Sequence, residues 1–289
     1  MLIGMCLFAC TDALAKFLTQ SLPPMQVVWL RQSGLFLGVM VVLCVRGREV
    51  LRTTHLTAQM TRGALAAVSA ALFVIAVSHV PLADAVAITF VAPFIVTVMG
   101  AVILREPVGV RRWAAVIIGF IGTLIVLRPG LGVLHPAAFL LVIAATAFAI
   151  RQILSRVLAR GDRTVTTVAY TAIVSWSLLA MAQPFVWQTP TTSQEVLLLI
   201  AMALLAAGGE TLVIMALDAA QAVVVAPVQY VLLIWGTFFG FVLFDQLPDR
   251  WTLLGAAIIV VTGLYIFDRE RRLARASSAA ATETGRRNP

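Results

Sequence analysis

Apolar stretches recur along the whole chain at a length that fits a membrane. An α-helix needs about 20 predominantly apolar residues to cross the hydrocarbon layer. Runs of this length suit helices rather than the alternating strands of a membrane barrel. The sequence therefore predicts an all-α integral membrane protein with ten transmembrane helices. The predicted spans are 2–20, 25–45, 62–79, 83–104, 111–128, 136–157, 164–187, 194–216, 220–244 and 250–267.

The positive charges indicate how these helices would be oriented. Of the 289 residues, 61% are hydrophobic and 12% are charged, with a net charge of +8. With ten spans, nearly all connecting arginines fall on one side, and the opposite side holds Arg128 and Arg250. Positive residues favour the cytoplasmic side, so both termini are expected in the cytoplasm of a bacterium, with the chain in its inner membrane. We interpret the basic excess as a topology signal and a lipid contact, and we expect no nucleic-acid partner.

The two halves of the chain resemble each other. ADAVAITFVAPF at 83–94 is similar to AQAVVVAPVQYV at 220–231, and Gly122 corresponds to Gly263. Five helices is an odd number, so a second copy would enter the membrane in the opposite direction, as in many secondary transporters. Chance similarity between apolar helices is the alternative. The predicted organisation is a five-helix repeat at 1–130, an inverted five-helix repeat at 131–267 and a disordered basic cytoplasmic tail at 268–289.

Two segments carry a resemblance to a known family. TDALAKFLTQSLPPMQVVWLRQ at 11–32 and REPVGVRRWAAVIIGFIGTLIVLRPG at 105–130 resemble the EamA-type, ten-helix branch of the drug/metabolite transporter superfamily. Within it, the chain is most similar to bacterial amino-acid exporters of the YddG type. The resemblance implies alternating access by two inverted bundles around a central cavity.

Charged residues inside predicted spans are candidate site residues, because ionised groups in a bilayer are costly and usually face the bundle interior. Asp12 and Lys16 lie four residues apart on one helix face, and Arg31 in the next span can reach the same level. A network of these three residues would carry one net positive charge and could hold a substrate carboxylate. The alternative is a structural ion-pair cluster with its cationic ends extending towards water.

Further polar candidates lie in other spans. Glu210 follows Gly208 and Gly209, and it could accept a proton or bind an amino group of the cargo. His79 could titrate near neutral pH and serve gating or proton coupling. Gln152 is expected to line the cavity, whereas its neighbour Arg151 is explained by extension to the cytoplasmic surface. A core acid and a histidine at the lipid interface are the alternative interpretations.

Prolines and aromatic residues suggest where the cavity lies. Pro93 and Pro227 interrupt spans four and nine at similar places, so both are predicted hinges next to the site. Aromatic side chains would suit a cargo that is partly apolar and partly zwitterionic, although packing is the alternative role. The nearby candidate binding residues are Phe90, Trp176, Gln229 and Tyr230. Two pairs, Gly34 with Gly38 and Gly236 with Gly240, predict close helix contacts.

The predicted function is a secondary transporter of small metabolites, with amino-acid export as the preferred hypothesis. Other metabolites or drugs are alternatives, as is a membrane-embedded enzyme or accessory protein. The sequence has no P-loop and no HExxH, CxxC or GxSxG motif, so we predict no enzyme, no cofactor and no metal. The expected partners are a small-molecule substrate and the lipid bilayer, with the chain as a monomer.

Overall fold

The computed structural model describes residues 1–103, 105, 109–128, 136–158, 161–219 and 226–286. These residues form helices and no strand, so the predicted all-α class is confirmed. The first half contains α1 (Leu2–Leu18), α2 (Pro24–Arg46), α3 (Leu56–Val77), α4 (Leu82–Thr89), α5 (Ala92–Ile103) and α6 (Val110–Leu127), with a 3-10 turn at Arg48–Leu51. The second contains α7 (Ala138–Leu158), α8 (Thr164–Ala180), α9 (Gln183–Val186), α10 (Ser193–Ala219), a 3-10 segment (Ala226–Tyr230), α11 (Val231–Phe244) and α12 (Arg250–Arg286).

The helices match the predicted spans closely. In the described part of the chain, six segments are long and apolar enough to cross a membrane, and three further apolar helices are shorter. Helix α3 begins at Leu56 rather than at the predicted residue 62. The predicted repeat boundary near 130, the turn at 106–107 and the first half of the repeated segment 220–231 lie outside the described residues.

The fourth predicted span is broken into α4 and α5. Proline lacks an N–H group, and its ring clashes with the carbonyl one turn earlier. Just before Pro93, the backbone hydrogen bonds therefore span three residues instead of four. The Phe90 and Val91 amides donate to the carbonyls of Ala87 and Ile88, at 3.2 and 3.1 Å. The predicted interruption is thus observed, and Pro93 itself is exposed. Pro227 lies in the 3-10 segment that precedes α11, so the ninth predicted span also departs from a regular α-helix.

The last described residues belong to α12. Helix α12 continues to Arg286, and the disorder expected from residue 268 stays a prediction. Alanine, arginine and glutamate favour helix, and Asp268 pairs with Arg272 one turn later at 2.7 Å.

Helix packing brings the two halves of the chain together. Two helices of the first half pack on helices of the second: α3 packs on α7 and α8, and α4 packs on α7. Likewise, two helices of the second half pack on helices of the first: α10 packs on α1 and α2, and α11 packs on α1. Three further contacts pair α2 with α8, α4 with α11 and α6 with α12. Each of these contacts joins a helix of the first half to one of the second, so the two halves share one core.

Candidate functional site

Asp12 and Arg31 form a buried ion pair between α1 and α2. Their Oδ1 and Nη1 atoms are 2.9 Å apart, and the two side chains are 8% and 14% exposed, respectively. The predicted proximity of these two residues is therefore present. The pair is electrically neutral, so it offers a cargo no surplus charge.

Lys16 is not part of that pair, which differs from the predicted three-member network. Its ammonium donates hydrogen bonds to the carbonyls of Val77, at 3.0 Å, and Val80. The last carbonyls of a helix lack intrahelical partners and carry the negative end of the helix dipole. The end of α3 therefore takes the ammonium, while Arg31 takes the Asp12 carboxylate.

A depression of about 930 Å³ opens beside Lys16, at the end of the bundle that we name the His79 end, where α3, α6 and α11 finish and α4 and α12 begin. His79 is exposed on its wall, with Nδ1 3.0 Å from the Ile75 carbonyl oxygen and 2.9 Å from the Ser78 hydroxyl. The predicted candidates Lys16 and His79 thus share one depression. The full lining is Lys16, Gln20, Ser78, His79, Val80, Pro81, Phe241, Val242, Leu243, Phe244, Asp245 and Gln246.

Sequence reasoning missed Asp84, a buried carboxylate in the first turn of α4. The Thr252 side chain hydrogen-bonds to it, and Lys16 and Arg128 both act on it electrostatically. Its Oδ1 atom has no hydrogen-bond partner among the described residues. The available signal was an acid three residues after Pro81, where a carboxylate interacts favourably with a helix N-terminus.

The sequence analysis also missed an ion pair that joins Arg128, at the end of α6, to Asp249, just before α12. Asp249 also accepts a hydrogen bond from the Thr252 amide at 2.8 Å, so it caps the N-terminus of α12. The Arg128 guanidinium and these capping bonds lower the pKa of the Asp249 carboxyl to about 2. One carboxylate therefore fastens the ends of two neighbouring helices.

This carboxylate predicts an acid-dependent loss of stability. A depressed folded-state pKa stabilises the protein fully above the ordinary carboxyl pKa of about 4, and the stabilisation disappears as the pH falls through about 2. We expect Asp249→Asn to remove this component of the melting-temperature profile of detergent-solubilised protein between those two values. The control is Asp245→Asn, at an exposed position that ends α11. Equal pH profiles for wild type and Asp249→Asn would contradict the assignment.

Glu210 on α10 has cationic neighbours that its own span does not reveal. Its carboxylate interacts electrostatically with Arg62 on α3 and with Arg151 on α7. Arg62 donates from Nε to the Ser155 hydroxyl at 2.8 Å and from Nη1 to the Thr171 hydroxyl. Sequence reasoning treated Arg62 as a topology marker and Arg151 as an arginine extended to the surface. The structure gives both residues a charged partner within the bundle.

The two interrupted spans meet at an aromatic contact. Phe90, at the break between α4 and α5, stacks on Tyr230 with ring centroids 5.0 Å apart. Tyr230 ends the 3-10 segment before α11, and its hydroxyl lies 1.6 Å from the position of a Cβ built on Gly263. The Tyr230 side chain can therefore occupy this position only because residue 263 of α12 is a glycine. Gln229 is half-buried next to it.

Two predicted site residues, Trp176 and Gln152, lie outside the Phe90–Tyr230 contact. Trp176 on α8 stacks on Phe36 of α2 at 4.2 Å and donates from its indole N–H to the Ser33 hydroxyl at 3.0 Å. These contacts give it a packing role between α2 and α8, and do not join it to the Phe90–Tyr230 contact. Gln152 is half-buried on α7, next to Arg151.

Comparison with known proteins shows which proteins this chain is similar to. Residues 1–128 match the model of the EamA-like transporter family. A solved crystal structure superimposes with a TM-score of 0.63 over 94% of this chain and 97% of its own, at 18% identity, which shows a shared fold.

Curated relatives cover nearly the whole chain. An S-adenosylmethionine uptake transporter of Rickettsia bellii is 26% identical over 90% of this chain and 89% of its own. A riboflavin transporter of Vibrio cholerae is 29% identical over 93% and 91%, and a pseudopaline exporter of Pseudomonas aeruginosa is 26% identical over 88% and 89%. These names do not support the narrower resemblance to amino-acid exporters of the YddG type. All three relatives are named as transporters, and residues 1–128 are similar to the EamA-like transporter family, so this chain is similar to membrane transporters of that kind.

Proposed function

We propose that this chain is a secondary transporter that moves small metabolites across the bacterial inner membrane by alternating access. The observation that carries the proposal is the meeting of two interrupted spans at Phe90 and Tyr230. Irregular backbone is tolerated within a membrane where it is buried in protein or lines a cavity. Interruptions in corresponding segments of two repeats are the best indicator of a transporter's binding site.

The packing pattern supports the proposed inverted repeat of 1–130 and 131–267. In the proposed repeat, the counterparts of α1, α2, α3, α4 and α6 are α7, α8, α10, α11 and α12, in that order. If each helix is exchanged for its counterpart, the contact of α3 with α7 becomes that of α10 with α1. In the same way, the contact of α3 with α8 becomes that of α10 with α2, and α4 with α7 becomes α11 with α1. The contacts of α2 with α8, α4 with α11 and α6 with α12 convert into themselves. A two-fold axis between the repeats would produce this pattern.

The proposed cargo is an amino acid or a related metabolite, and the proposed direction is export with both termini in the cytoplasm. The separated charges of Glu210 and the two arginines support a cargo that carries both signs of charge. The names of the relatives include uptake and export and three different cargos. S-adenosylmethionine is therefore the second candidate cargo, since the Rickettsia relative is named for it and it is itself an amino acid. We propose no enzymatic step.

Counterflow in proteoliposomes tests the proposal. Vesicles are loaded with one unlabelled solute and given a trace of the same labelled solute outside, with amino acids, S-adenosylmethionine and riboflavin tested in turn. We expect label to accumulate transiently only where the internal solute is a cargo, and Phe90→Ala to lower the initial rate at least tenfold. The control is Phe185→Ala, because Phe185 is 88% exposed in α9. Lack of accumulation for every solute in a larger metabolite panel would refute carrier function.

A further inference from the structure

Arg62, Arg151 and Glu210 come from three helices that contribute to the shared core. Arg62 and Arg151 lie on α3 and α7, which pack on each other, whereas Glu210 lies on α10, which packs on α1 and α2. The arginines and the carboxylate therefore belong to different helix pairs. Their electrostatic interaction extends from one pair to the other.

The opposite charges do not close into a salt bridge. Within the described ranges, neither arginine has a nitrogen within 4 Å of a Glu210 oxygen, in contrast to the direct pair of Asp12 and Arg31. Charged groups within a bilayer usually pair directly, because separation leaves each of them poorly solvated. Separation of charges here indicates a position at which another molecule can complete both ends.

The arginines are held in a way that suits an incoming anion. Arg62 is oriented by Ser155 and Thr171. The Arg151 guanidinium lies 4.8 Å from the centre of the Phe148 ring, and its buried Nε atom has no hydrogen-bond partner among the residues that the structure describes. A guanidinium offers several N–H donors in a planar fork that matches a carboxylate.

We propose that Arg62 and Arg151 bind the carboxylate of the cargo and that Glu210 binds its ammonium group. This inference deepens the proposed function and rests on it: the cargo is a zwitterion with an α-amino-acid headgroup. The side chain of the cargo then extends away from the three charges, so specificity for the side chain is a property of other residues. Both charged ends of the headgroup are required for tight binding.

A binding assay tests this without relying on transport. Purified protein in detergent is screened for thermal stabilisation by the amino acids and S-adenosylmethionine, and the most stabilising compound becomes the probe. We expect its methyl ester and its N-acetyl derivative each to bind wild type at least tenfold more weakly. Absence of stabilisation by every compound, or equal binding of the probe and both derivatives, would overturn the subsite.

Substitutions assign the two ends of the probe. Arg151→Gln and Glu210→Gln should each weaken binding of the probe at least tenfold. Arg151→Gln should add nothing for the ester, and Glu210→Gln should add nothing for the N-acetyl derivative. Arg48→Gln and Glu49→Gln, at exposed positions in the turn after α2, supply matched controls. If Arg151→Gln does not fold, Arg151→Lys and the wild-type derivative series keep the assignment testable.

The outcomes separate the subsite from carrier function. Counterflow of a solute that lacks a carboxylate or an amine, without binding of amino acids, would refute the subsite and leave the transporter proposal intact. Binding with the expected dependence on both charged ends, but without counterflow of any solute, would support the subsite and refute the transporter proposal.

Discussion

Gly34→Ala is expected to destabilise the protein by roughly 3 kcal/mol, although it adds a single methyl group. A Cβ at this position would lie 2.0 Å from the Ala203 carbonyl oxygen of α10 and 2.7 Å from its carbonyl carbon. Both contacts are with backbone, so no rotamer change relieves them, and α2 must move away from α10. The gain in helix propensity from glycine to alanine, about 1 kcal/mol, is smaller than this cost.

Gly38 supplies the matched control on the same helix. A Cβ there meets no atom within 4 Å. We expect Gly38→Ala to be neutral or to stabilise by up to about 1 kcal/mol through helix propensity. The measurement is denaturant unfolding in detergent, followed by helical circular dichroism. If the two variants unfold at the same denaturant concentration, the close crossing of α2 and α10 is wrong.

This pair of glycines shows what the sequence could and could not predict. The spacing of Gly34 and Gly38 predicts a close contact, because small residues allow membrane helices to approach. Which glycine makes that contact depends on the rotation of α2 about its axis, and hydropathy does not fix this rotation where nearly every face is apolar. The helices themselves were predictable, since lipid leaves the backbone few alternatives to intrahelical bonding.

The candidate site was predictable only where its cause is local. Pro93 breaks its span by its own chemistry, so the interruption could be inferred from one residue. Lys16 instead finds carbonyls that are 61 and 64 residues away in sequence. The sequence predicted that Lys16 pairs with Asp12, one turn away on the same helix. In the structure, Lys16 instead donates to carbonyls at the end of α3. The electrostatic interaction of Arg62 and Arg151 with Glu210 exists only because α3, α7 and α10 contribute to one core, and sequence spacing does not reveal that placement.

Removing the Asp12 charge is expected to have an equally large effect, for an electrostatic reason. Asp12→Asn leaves the Arg31 guanidinium buried without its counter-charge, and breaking a buried pair from one side costs about 3–5 kcal/mol. Arg31→Gln should cost a similar amount, because it leaves the carboxylate uncompensated. The double variant Asp12→Asn with Arg31→Gln buries no net charge. We therefore expect it to be more stable than either single variant, by denaturant unfolding in detergent.

The same double variant distinguishes a structural pair from a substrate-binding one. If Asp12 and Arg31 only hold α1 against α2, the double variant should recover counterflow together with stability. If either residue binds cargo, as the sequence predicts, stability should return while counterflow remains at least tenfold below wild type. Strictly additive destabilisation in the double variant would contradict the pairing itself, because residues in direct contact are expected to show a coupling energy. The neutrality of the pair and its direct 2.9 Å contact favour the structural outcome, in contrast to the separated charges of Arg62, Arg151 and Glu210.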